Sequence, residues 1–293
     1  MKTLKEGFLR KNLGLGKEAL IKNWLDEHKI INYVINNDLT IDVDGSVYLI
    51  DYTEKQLPDY IRFRIVTGDF YCYDCKNLES LERCPEKVGG SFDCSGCSKL
   101  ESLEGCPKEV GESFSCDECS KIKSLVSAPQ KVGGDFYCNK CSKLESLEGA
   151  PQEVGGDFDC YECSKLKSLK GAPKEVGGFS CYKCSKLESL EGAPEIVGGY
   201  FDCYGCPKLE SLEGAPREVG GYFDCYECRN LKSLEGAPRK VSGSFNCYGC
   251  HNLKSLKGAP KEVGGNFFCH SCGTRFTLDD IEKVCEVNGD ISA

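Results

Sequence analysis

Several features are scarce or missing in this 293-residue sequence, and each absence removes a class of function. No apolar run approaches the roughly 18 residues of a spanning helix, so nothing in it predicts a membrane segment. Basic clusters are missing as well: 37 Lys and Arg are scattered among 46 Asp and Glu for a formal charge of -9. Without a basic stripe, nucleic acid is disfavoured as a partner. Histidine is down to His28, His251 and His270, and no Ser or Cys sits in a recognisable nucleophile motif. The many Gly-Gly pairs lack the Lys-Ser/Thr of a phosphate loop, so the reading is non-enzymatic, with no catalytic residues to name. The opening MKTLKEGFLRKNLGLGKEALIKNWLDEHK carries charges every few residues and has no apolar stretch followed by a small-residue cleavage site, which predicts no secretion signal.

What is abundant is cysteine, 23 of them, and glycine, 33. Both follow one sentence of 22 residues, clearest at 154–175 as VGGDFDCYECSKLKSLKGAPKE. Its anchor, Phe-x-Cys-x-x-Cys, recurs at Phe70/Cys72/Cys75, Phe92/Cys94/Cys97, Phe114/Cys116/Cys119, Phe136/Cys138/Cys141, Phe158/Cys160/Cys163, Phe179/Cys181/Cys184, Phe201/Cys203/Cys206, Phe223/Cys225/Cys228, Phe245/Cys247/Cys250 and, varied, Phe267/Cys269/Cys272. A period in the twenties is the mark of a stacked solenoid in which each unit buries a face against its neighbours. The interval from Cys160 to Cys181 is 21 rather than 22. We place the lost residue between Gly178 and Phe179, at a Gly-rich turn where a loop tolerates what a strand does not.

Four regions follow. Residues 1–38 predict a helical N-terminal cap, with Leu4, Phe8, Leu9, Ala19, Leu20, Trp24 and Leu25 at helical spacing around Gly14 and Gly16. Residues 39–66 read as a capping hairpin, with Asp44-Gly45 as its turn, and a degenerate first repeat in which Leu57, Ile61 and Phe63 survive without cysteines. Residues 67–272 hold the ten regular repeats. Within each, Phe and the first Cys alternate with polar residues, the period-two pattern of a short strand with one buried face. Successive strands predict one long parallel sheet, and the Gly and Pro of Leu-x-Ser-Leu-x-Gly-Ala-Pro, as at Leu144, Leu147, Gly149, Ala150 and Pro151, predict irregular arcs rather than helices. Residues 273–293 predict a closing cap: Thr277 as N-cap with Asp280 at its third position, an apolar face of Leu278, Ile281 and Val284, and Gly289 as a stop.

At this point the residues carry a resemblance. Phe-x-Cys-x-x-Cys-x-x-Leu resembles the leucine-rich repeat core in its Cys form, and Leu-x-Ser-Leu-x-Gly-Ala-Pro resembles the Leu-x-x-Leu-Pro-x-Leu-Pro arc of short bacterial leucine-rich repeats. The chain is similar to leucine-rich repeat proteins of bacteria and their tailed phages, departing from the pattern where Phe and Cys replace Leu in the strand. The resemblance implies a mainly β, right-handed solenoid with a parallel, leucine-rich-repeat-like sheet arc, a habit of binding proteins, and a bacterial host cytoplasm as its location. The expected state is a monomer with no cofactor, no membrane contact and no nucleic acid.

The cysteines admit three readings. Pairs spaced 22 apart leave 18 residues between them, inside the usual spacing of zinc sites, so Cys160, Cys163, Cys181, Cys184, Cys203, Cys206, Cys225 and Cys228 are candidate ligands for zinc or an iron-sulfur centre. The same spacing is forced on any 22-residue solenoid that uses Cys twice per turn, and a small apolar Cys suits a buried position. Cys84 and Cys106, in the Ala place of Gly-Ala-Pro, favour this structural ladder, and regulated disulfides remain the third reading.

If Phe and the first Cys face inward, two columns face out. The first includes Asp159, Asp202 and Asp224; the second runs Tyr73, Ser95, Asp117, Asn139, then Tyr161, Tyr182, Tyr204, Tyr226 and Tyr248, and ends at His270. Tyrosines suit strands and stack across a sheet, yet aromatics also anchor interfaces. Unbroken only in the second half of the sheet, and extended by Tyr200 and Tyr222, the stripe predicts a binding face of Tyr161, Tyr182, Tyr204, Tyr226, Tyr248, Asp159, Asp202 and Asp224 for a protein partner.

Overall fold

A computed structural model describes residues 16–293; the expectations for Leu4, Phe8, Leu9 and Gly14 lie outside them. The chain is a mainly β parallel solenoid. Each Phe-x segment contributes a strand to one unbroken 12-stranded sheet from Val47–Tyr48 to Ile291–Ser292, with equivalent residues in register, as in Phe136↔Phe158 and Phe158↔Phe179. The register follows from the Phe side chains, which are wholly buried and stack turn on turn with centroids 5.0 to 5.5 Å apart from Phe70 to Phe267. Leu166 and Leu169, and their equivalents in the other repeats, close the core on another side.

The expectation of a single sheet with irregular arcs is corrected by a second set of strands. The Glu-Val or Lys-Val pair ahead of each Gly-Gly corner, such as Lys131–Val132 and Glu153–Val154, pairs in parallel with its neighbours into sheets of seven and six strands. One residue of each pair is buried and the other exposed or half-exposed, an alternation too short to be seen beside the glycines that follow.

Those two sheets are separate because of the short turn. Gly155 N donates to Val132 O at 3.0 Å and Gly156 N to Gly134 O at 2.9 Å, whereas Gly177 N donates to Gly156 O at 2.7 Å. Gly177 therefore stands in the place of the second corner glycine, and Gly178 takes the place of Asp157. The loss falls within the Gly-Gly pair, not between Gly178 and Phe179. It interrupts the second ladder between Glu153–Val154 and Glu175–Val176 while the long sheet runs on through Phe158 and Phe179.

Left-handed residues make the remaining corners. The residue before each second Cys is left-handed whether or not it is glycine, with φ of 55° at Asp74, 56° at Glu162 and 64° at Gly205. This corner turns the second Cys inward. The glycine of Gly-Ala-Pro is left-handed too: Gly171 has φ 94°, and a Cβ there would stand 2.6 Å from the Leu147 carbonyl carbon and oxygen of the turn below. Gly171→Ala is expected to lower unfolding free energy by about 1–3 kcal/mol; an unchanged urea midpoint would show that this corner relaxes freely.

Both ends are covered. Helix α1 (Lys17–Glu27) buries Ile21, Trp24 and Leu25, and Trp24 stacks on His28 at 4.0 Å while meeting Phe63 edge-on at 6.2 Å. The expected hairpin is displaced: Tyr33–Ile35 pairs antiparallel with Ile41–Val43, and Asp44-Gly45 forms the first solenoid corner, since Val47–Tyr48 pairs in parallel with Phe70–Tyr71. Helix α2 (Leu278–Glu282) starts from Thr277 in a reciprocal capping box with Asp280, with Ile281 buried beneath it and Leu278 exposed. Among the described residues no helix is long and apolar enough to cross a membrane.

Candidate functional site

Alternation along the strand puts every second residue on the outer face, and the long sheet presents three parallel rows there. Row one, the residue before each Phe, reads Asp135, Asp157, Gly178, Tyr200, Tyr222. Row two reads Asp159, Ser180, Asp202, Asp224, Asn246, each in register with the next. Row three reads Tyr161, Tyr182, Tyr204, Tyr226, Tyr248. The structure therefore brings all eight expected binding residues onto one face, half-buried.

The row-three tyrosines form a ladder. Tyr161 and Tyr182 stack at 4.4 Å and 6°, Tyr182 and Tyr204 lie 6.0 Å apart and tilted by 30°, Tyr204 and Tyr226 stand at 5.1 Å, and Tyr226 and Tyr248 stack at 5.0 Å and 6°. Ring faces are spent on one another, so the ladder offers its rims and hydroxyls. Where it is loosest, the Lys183 ammonium lies 5.7 and 5.6 Å from the Tyr182 and Tyr204 rings, a cation–π position.

Row two is acidic and uncompensated. Asp202 accepts from Tyr204 N at 2.9 Å and Asp224 from Tyr226 N at 2.7 Å, local turns that aim these carboxylates along the face. Burial, with the neighbouring carboxylates, pushes Asp159 and Asp202 up to about 6, and burial raises Asp224. On the outer arcs Lys and Glu pair turn to turn, as Lys131 with Glu153 at 2.7 Å and Lys257 with Glu235 at 2.7 Å. Among the described residues no Lys or Arg pairs with Asp157, Asp159, Asp202 or Asp224. Sequence reasoning found Asp159, Asp202 and Asp224 but missed Asp157 and the group that joins it to Asp159: the Tyr200 hydroxyl, placed to donate to one carboxylate or the other, lies 3.1 Å from Asp157 Oδ2 and 3.2 Å from Asp159 Oδ1, 43 and 41 residues away. The missing residue in the 21-residue repeat was the available signal.

The cysteines are arranged across turns, not within them. From Cys97 onward each second Cys donates its thiol hydrogen to the carbonyl of the first Cys one turn below, as Cys163 to Cys138 O at 3.2 Å, Cys184 to Cys160 O at 3.2 Å, Cys206 to Cys181 O at 3.3 Å and Cys228 to Cys203 O at 3.2 Å. Burial holds the thiols of Cys160, Cys181 and Cys184 well above the ordinary range, and the hydrogen bond with Cys228 does the same for Cys203, with burial adding to it. Metal ligation needs the thiolate, which this surrounding opposes. Among the described residues no group of three or more His, Cys, Asp or Glu is placed to hold a metal ion.

No family model, curated protein or solved structure matches the chain. The geometry of the face is then what a functional reading must rest on.

Proposed function

We propose that this solenoid is a non-enzymatic binding protein of leucine-rich-repeat type that acts as a monomer in a bacterial host cytoplasm, takes up neither nucleic acid nor membrane, and holds a protein partner on the Tyr/Asp face of its long sheet. The observation that carries the reading is the run of half-buried, unpaired carboxylates in row two. Buried charge without a counter-ion is costly to a fold, whereas on the outer arcs many Lys and Glu pair between turns. A row left without cations beside a tyrosine ladder is complementary to a partner that brings them. In this reading the cysteines need no metal or cofactor; they are thiol donors that tie turn to turn.

The test is Tyr204→Ala with Tyr226→Ala. Removing two adjacent rungs is expected to weaken binding to a partner identified by cross-linking and mass spectrometry by about 2 kcal/mol or more, roughly thirtyfold. Circular dichroism should show the double variant folded, because it loses three half-buried ring contacts, worth about 0.5–1.5 kcal/mol each, and leaves the Phe and Leu core untouched. Undiminished affinity in a folded double variant would remove the face from consideration.

A further inference from the structure

The short turn leaves a notch in row one. In earlier turns the side-chain oxygen ahead of each Phe caps the backbone N–H of the same position one turn on, as Asp69 Oδ1 accepts from Ser91 N at 2.8 Å and Asp135 Oδ1 from Asp157 N at 2.8 Å. At the next position stands Gly178, which has no side chain to continue the row. The ring of Tyr200, one turn further on, lies in that space: a Cβ on Gly178 would be 2.4 Å from Tyr200 Cε1. Its hydroxyl lies between Asp157 and Asp159, and one hydroxyl proton serves only one carboxylate at a time.

Beside this notch, Ser180 sits in register between Asp159 and Asp202. It is 4% exposed, and its Oγ has no hydrogen-bond partner, an exception that buried polar atoms rarely show. Three oxygens that can accept are thus aligned across three strands, those of Asp159, Ser180 and Asp202. Aromatic rings border them on both sides: Tyr200 stacked with Tyr222 at 5.5 Å, and Tyr182 beside Tyr204. Acceptors on the floor and rings on the walls call for a cation that is planar, rich in N–H donors and weakly hydrated. Guanidinium has these properties, whereas an ammonium is a compact, strongly hydrated point charge.

We propose that the Asp159–Ser180–Asp202 stretch beside the filled notch seats one arginine side chain of the protein partner, its guanidinium donating to Asp159 and Asp202 over Ser180 while the Tyr200 hydroxyl settles on Asp157. The inference rests on the protein-binding reading of this face and names the group it recognises. Calorimetric titration with end-blocked hexa-arginine and hexa-lysine peptides, at neutral pH and physiological salt, tests it. Hexa-arginine is expected to bind about tenfold tighter than hexa-lysine. Asp159→Asn with Asp202→Asn should remove that preference, Ser180→Ala should reduce it, and Asp93→Asn, in the same column but far from the short turn, should leave it unchanged. Equal affinity for the two peptides, or an arginine preference that survives the Asp159/Asp202 double substitution, would overturn the proposal. If the peptides fail to discriminate while the Tyr204/Tyr226 substitutions still weaken the identified partner, the arginine seat is wrong and the face stands. If those substitutions are also without effect, the face itself is wrong.

Discussion

Phe158→Ala is expected to lower the unfolding free energy by about 3–5 kcal/mol and to divide a single urea transition into two. The ring is wholly buried and lies between Phe136 at 5.0 Å and Phe179 at 5.5 Å, so truncation opens a cavity with packed rings on both sides. Its position makes it special. Between the turns of Phe158 and Phe179 the second sheet is interrupted, and much of the coupling between the two halves passes through the long sheet and the core beneath it. A solenoid's stability is approximately a sum of turn energies and nearest-neighbour interfaces, so weakening the interface that already lacks a ladder lets the halves unfold separately. Phe223→Ala removes an equivalent ring, stacked at 5.3 and 5.5 Å, where both ladders are intact. It should lose a similar free energy with one transition retained. A harmless Phe158→Ala, or the same single transition in both variants, would show that the inward columns or the weak interface are misassigned.

The parts of this architecture that were legible in the sequence are those with a repeating physical signature. Phe158 and Cys160 alternate with Asp159 and Tyr161, and a period of two over five residues is enough to assign faces; the structure buries the first pair and half-exposes the second. The Thr277 cap was legible because a capping box is local chemistry. The second strands were not, since a Glu-Val pair gives only one alternation before the glycines. The hairpin was misplaced for a related reason: Asp44-Gly45 is a turn signal, but the same residues serve a solenoid corner, and only the pairing of Val47–Tyr48 with Phe70–Tyr71 decides between them. The cysteines pointed to a ladder or a metal site alike, because spacing cannot show that Cys163 faces the carbonyl of Cys138. Tyr200 was visible as an aromatic but not as the group that fills a neighbour's gap, which depends on where the lost residue falls in three dimensions.

The same acidic row predicts an inverted pH dependence. Asp159 and Asp202 hold their protons up to about pH 6 when folded, against an ordinary value of 3.8. Between those limits the folded chain binds more protons than the unfolded one, so the contribution of these two groups to stability falls as pH rises from about 4 to about 6 and stays low above it. Carboxylates held by Lys, such as Glu101 beside Lys121, are shifted downward and act in the opposite sense, but they lie at the surface, where such pairs contribute little. Each shift is about two units, or roughly 3 kcal/mol before screening, and partial exposure reduces that to about 1–2 kcal/mol per group. Asp159→Asn with Asp202→Asn is therefore expected to stabilise the protein by about 2–4 kcal/mol at pH 8 and by little at pH 4, where the wild-type pair is already largely protonated. In the Asp202→Asn chain the new side-chain amide oxygen still accepts from the backbone of Tyr204, so the local turn survives the change. Urea melts of both proteins across this range would show it, and a double variant less stable than wild type at pH 8 would mean that the row is compensated after all. A gain in stability coupled to a loss of arginine preference would place the cost of this row where the proposed binding role lies.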